Sequence, residues 1–184
     1  MGGIFRNYLG NWIIDFQKVD KAFSPLHAEL QAIHEGLQIA ISYDLFPLKV
    51  ETDSTEAINV INQDHFVVTN TVHACRSLML QRKDLLLRHN FQEENQVAHL
   101  LAKDACKKEY IQLCKENAKI HPTPPHFVSL QLSKDVNGGY YYKKSLDITT
   151  CNRLKLVENQ NVTNIGSPMC GDFQFRNICT SSNF

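Results

Sequence analysis

A single mixed α/β sheet is the fold class this sequence predicts, and three observations predict it. A β-hairpin opens the chain, and strand-like and helix-like segments alternate after it. That alternation continues to a proline-rich stretch near residue 119. The hairpin pairs antiparallel, and helices separate the strands that follow.

Each element has a local reason. Residues 2–19 read as the hairpin: GGIFRN, a turn at YLGN, then WIIDFQKV, rich in aromatic and β-branched residues. Ser24-Pro25 is a helix start, a capping hydroxyl followed by proline at the first helical position. The helix carries Leu26, Leu30, Ile33, Leu37 and Ile41 on one stripe and runs to about Tyr43. LKVETD is a short strand after Pro47, and Ser54 caps a second helix with Ala57, Ile58 and Ile61 inward. NTVHACRSLMLQ is a third helix with Val72, Cys75 and Met79 inward, and DLLLRHNF returns as a strand. A last helix is expected from about Glu93 to Glu109. Val97, Leu100 and Leu101 form its apolar face, with His99 opposite among Asn95, Lys103 and Cys106.

Composition narrows the class further. The 184 residues balance 19 basic against 19 acidic side chains, so any grip on nucleic acid must be local and not a product of net charge. The six cysteines form no CxxC pair and no zinc spacing, which suggests reduced thiols. No apolar run approaches a membrane span, and MGGIFRNYLG lacks the apolar segment of a signal peptide. The expectation is an intracellular chain, nuclear or cytosolic, without a membrane.

Glu29 lies one turn into the long helix, beside its apolar stripe, and Asp53 ends a strand just before a helix cap. In open α/β sheets ligands bind beyond the carboxyl ends of strands. Three phrases then fall in order: PLHAELQAIHEGLQIA, KVETDSTEAINVIN and LRHNFQEENQVAHLLAKDA. Together they closely resemble the ribonuclease H-like domain, more narrowly its version in plant non-LTR retroelement reverse transcriptases and their relatives. The resemblance covers about residues 1–110, and PPHFVSLQLSKDVNG resembles the segment that often trails that domain.

The resemblance implies hydrolysis of the RNA strand of an RNA–DNA hybrid by four carboxylates around two Mg²⁺ ions, with Mn²⁺ as a substitute. Hard oxygen ligands suit those ions. One ion would generate the attacking hydroxide and the other stabilise the leaving oxygen. Contacts to the 2′-hydroxyl would select the RNA strand. Carried over by position, Glu29 and Asp53 are catalytic metal-binding carboxylates, and His89, in a flexible loop before the last helix, assists proton movement and product release. Glu94-Asn95 matches the acidic-Asn pair that opens that helix. Asn95 is expected at the nucleic acid. Lys103, Lys107 and Lys108 near the end of that helix read first as a dipole complement on a solvated face, or else as a patch for backbone phosphates with Lys103 as its contact. The fourth carboxylate falls at His99, an imidazole better suited to Zn²⁺, Mn²⁺ or Ni²⁺ than to Mg²⁺.

The first carboxylate would lie on a strand before the GG hairpin, and the sequence starts after it; a truncated gene would account for this. That strand is the first and central one of the expected ribonuclease H-like sheet. Its loss would leave unpaired backbone groups. Either the hairpin packs on the LKVETD strand, another segment fills in, or the chain folds poorly. The expected organisation is a truncated domain over 1–110, a Pro-containing linker and trailing segment over 111–139, and a poorly ordered Asn/Thr/Ser-rich tail over 140–184. With two of four carboxylates missing, the expected nuclease activity is weak or absent. The alternative is a non-catalytic nucleic-acid-binding module or an inert retroelement relic.

Overall fold

A computed structural model describes residues 1–63, 70–82, 84–107, 117–137 and 176–181. Six strands form one mixed sheet: β1 (Gly2–Arg6), β2 (Trp12–Gln17), β3 (Leu48–Thr52), β4 (Leu85–His89), β5 (Lys119–His121) and β6 (Arg176–Ser181). Their order across the sheet is β4-β3-β6-β1-β2-β5. Among the described residues five α-helices accompany them: α1 (Pro25–Ser42), α2 (Thr55–Asn62), α3 (Asn70–Leu80), α4 (Gln96–Ala105) and α5 (Ser129–Asn137). The architecture is the expected ribonuclease H-like α/β fold.

Period-two alternation sends successive residues of each strand to opposite faces. Phe5, Phe16, Val50 and Ile178 pack with Leu30, Ile33 and Leu37 of α1, and with Ala57, Ile61, Val72 and Cys75 of α2 and α3. Ile4 takes the other face, beneath Val97, Ala98 and Leu101 of α4, with Val128 and Leu132 from the trailing segment. Each fully buried aliphatic side chain contributes about 1.5–3 kcal/mol. Among the described residues no helix is long and apolar enough to cross a membrane.

The caps explain where the helices begin and end. The Ser24 side chain accepts from the His27 amide at 3.1 Å, ahead of Pro25, and the Ser54 side chain accepts from the Ala57 amide at 3.1 Å. Past α1, Asp44 takes the left-handed conformation with φ 50°, and the Leu45 amide returns to the Ala40 carbonyl at 2.9 Å. Arg76 of α3 closes the other end of α2: it donates to the carbonyls of Ile61 (2.9 Å) and Val60 (2.8 Å), and also to that of Gln63. A cation is favoured at a helix C-terminus for both hydrogen bonding and dipole reasons.

Three expectations need correction. Of the three outcomes expected at the centre of the sheet, another segment fills in: β6, parallel to β3 and antiparallel to β1. Residues 176–181 therefore leave the poorly ordered tail and become the central strand, because backbone groups on both flanking strands require partners. The rest of that tail lies outside the described residues, as do residues 111–116 and Lys108. Residues 119–121 are a sheet strand beside β2 and not linker. Finally, α4 stops at Ala105, where the Cys106 amide returns to the Lys103 carbonyl at 3.3 Å, short of the expected Glu109.

Candidate functional site

Three parallel strands, β4, β3 and β6, end together, and the ladder brings their last residues into line. Thr52 pairs with His89 on one side and with Thr180 on the other. Asp53 follows Thr52 directly and precedes the Ser54 cap of α2. Glu29 reaches this point from α1, where its Oε2 accepts from the Thr52 hydroxyl at 3.3 Å. That hydroxyl also accepts from the Ser54 amide at 3.2 Å, which fixes the turn carrying Asp53. Glu29 and Asp53 are both half-buried. Sequence and fold thus bring Glu29, Asp53 and His89 to one end of the sheet.

His89 stands in the strand expected over DLLLRHNF and not in the loop that the resemblance implies. It is the last residue of β4 and not part of a loop, because the ladder with β3 continues through it. Its imidazole is exposed and meets the Phe91 ring edge-on, with centroids 5.4 Å apart.

Asn95 and His99 belong to the α4 side of the strand ends. Asn95 is buried, and its amide donates to the Thr180 carbonyl at 2.7 Å. One of the two N–H groups of its amide is thus spent on β6. The Asn95 Oδ1 and the Thr180 hydroxyl are both buried with no hydrogen-bond partner among the described residues. His99 is half-buried on α4, and its backbone amide returns to Asn95.

Glu29, Asp53 and His99, the expected metal ligands, do not gather into one coordinating group. Among the described residues no three His, Cys, Asp or Glu side chains stand where they could hold one ion. Glu29 is bonded to Thr52, and the start of α4 is held to β6 through Asn95. Of the basic cluster, Lys103 is exposed. Lys107 is held by Asp104 at 2.5 Å and lies 5.7 Å from the centre of the Phe127 ring. Burial pushes the Cys75 thiol up to about 12, so it is no nucleophile at neutral pH.

Sequence reasoning missed Thr52, which links Glu29 to the strand end, and Thr180, whose carbonyl holds Asn95. It also missed a buried pair across the sheet. Asp15 is completely buried, and its Oδ1 meets His121 Nδ1 at 2.6 Å. A carboxylate in the apolar phrase WIIDF was the available signal, since a buried charge requires a partner.

Compared with known families, the sequence model of the reverse transcriptase-like family matches residues 1–105. No curated protein and no solved structure gives a significant match.

Proposed function

The chain belongs to the reverse transcriptase-like family, and from that premise we propose that it is a ribonuclease H-like module that binds RNA–DNA hybrids and hydrolyses them weakly or not at all. The observation that carries this reading is the strand at the centre of the sheet. Arg176–Ser181 reads RNICTS and contains no acidic residue, whereas the resemblance calls for a carboxylate on the strand in that place. His99 in place of a fourth carboxylate points the same way. The motif phrases support the narrower placement among plant non-LTR retroelement relatives.

Glu29 and Asp53 do not fit a two-ion centre, because two cations held close together against a phosphate require more negative charge than two carboxylates supply. The pair suits at most one hydrated Mg²⁺ or Mn²⁺, held loosely. What remains is recognition. The exposed Lys103 supplies a local positive charge for backbone phosphate, and His89 and Phe91 lie exposed beside the strand ends.

The test is a labelled RNA–DNA hybrid incubated with the chain in Mg²⁺ and in Mn²⁺, with a gel-retention arm at low salt. Retention with little or no cutting is expected, and Lys103→Ala should weaken retention several-fold. Robust cutting that Asp53→Asn abolishes would overturn the impaired reading. Absence of retention at low salt would remove the binding function as well.

A further inference from the structure

The place between β1 and β3 is filled by a segment that arrives from beyond residues 138–175. Its contacts do not depend on that connection. One edge of the segment pairs with β1 from Gly2↔Ser181 to Arg6↔Asn177. The other pairs with β3 from Leu48↔Arg176 to Thr52↔Thr180. Ile178 and Thr180 are completely buried. A methyl on Gly36 of α1 would lie 2.3 Å from Ile178 Cδ1, so the bare helix backbone there makes room for this side chain. Asn95 then holds the far end through the Thr180 carbonyl.

We propose that the gap between β1 and β3 is a binding site for an extended peptide strand, with Arg176–Ser181 as its tethered ligand. The ligand class follows from the contacts. It is a six-residue segment that runs parallel to β3, with a branched aliphatic side chain at its third residue and a small one at its fifth. This is strand addition at the centre of a sheet instead of at its edge. Gly2 faces Ser181, so the segment stands to β1 as one arm of a hairpin to the other, although the covalent path between them runs through the rest of the domain. Residues 138–175 join the ligand to the domain in one chain, so its binding is intramolecular and its effective concentration is set by that covalent link. An empty gap would expose two rows of unpaired N–H and C=O groups to each other, which is why the site holds its ligand.

The inference is independent of any role in nucleic-acid binding. Its test uses the full chain with a protease site introduced near residue 155, cut after folding. The released segment is expected to co-elute with the domain, and the β1 and β3 amides to stay protected from hydrogen exchange. A fluorescent peptide of residues 174–184 added in excess should replace the cut segment. The same peptide carrying Ile178→Asp should incorporate at least tenfold less. If the segment departs and protection of β1 and β3 is lost, recovery on adding the wild-type peptide supports the site, and failure to recover overturns it. Departure with protection intact overturns it too, as does equal incorporation of the two peptides.

Discussion

Replacing Asp15 by Asn should change how stability depends on pH, and the direction follows from where Asp15 sits. The carboxyl is completely buried between β2 and β5, with His121 Nδ1 2.6 Å from its Oδ1. Its Oδ2 has no hydrogen-bond partner among the described residues. Burial raises its pKa from 3.8 to about 6, against the lowering effects of the His121 hydrogen bond and the charges of His121 and Lys119. Below pH 3.8 the proton is bound in both folded and unfolded chains, and the contribution to stability is fully present. As pH rises further, the unfolded chain gives up the proton while the folded one keeps it. Stability is lost until the pH has passed about 6. A pKa held about two pH units high costs about 3 kcal/mol above both values. His34, whose pKa is lowered mainly by burial, acts in the opposite sense, with stability lost as pH falls below 6.5. It is common to both proteins and cancels in their difference. Urea midpoints measured from pH 4 to pH 7 should therefore show Asp15→Asn gaining about 3 kcal/mol on the wild type across that range. Parallel profiles, or a gap that narrows toward pH 7, would show that burial does not raise the Asp15 pKa.

Two further substitutions probe how the site is held. Asn95→Ala removes the donor from the buried Thr180 carbonyl and should cost about 1–3 kcal/mol; a change in the denaturation midpoint equivalent to less than about 0.5 kcal/mol would refute the clamp. Gly2→Ala places a methyl 2.7 Å from the Ala102 nitrogen and 2.9 Å from the Leu101 carbonyl carbon. Backbone atoms cannot swing aside, so α4 must lift, at a cost of about 1–3 kcal/mol. A melting temperature unchanged from the wild type would show that the approach of β1 to α4 is looser than described.

The elements that could be read from the sequence are those whose signals are local. Ser24-Pro25 and Ser54 announce helices because the capping hydroxyl and the amide it bonds lie three residues apart. The α1 stripe shows because its period is that of the helix. Glu29 and Asp53 could be singled out because each sits at a fixed offset from such an element. β6 could not be placed this way. RNICTS is short, stands among Asn, Thr and Ser, and owes its conformation to partners at residues 2–6 and 48–52. The sequence does show that the sheet needs a strand there, through the cost of open backbone, but not which segment supplies it. His121 was obscured in the same way, since the prolines after it mark a break in structure while its own pairing is with Asp15. The site followed this pattern. The acidic residues were legible, but Thr52, which holds Glu29 and the turn carrying Asp53, is an ordinary strand residue until the register is known.

The pairing of Gly2 with Ser181 also governs the order in which the domain can be made. During synthesis β1 to β5 and their helices emerge before the strand that joins the two halves of the sheet. Until it arrives, β1 and β3 present open inner edges, the kind of surface that recruits strands from other chains. Contacts between residues so far apart in sequence also form slowly. This topology therefore leaves strand edges open for longer than a sheet closed by neighbouring hairpins would. Yield in cells should accordingly respond more to translation rate and temperature than to surface substitutions.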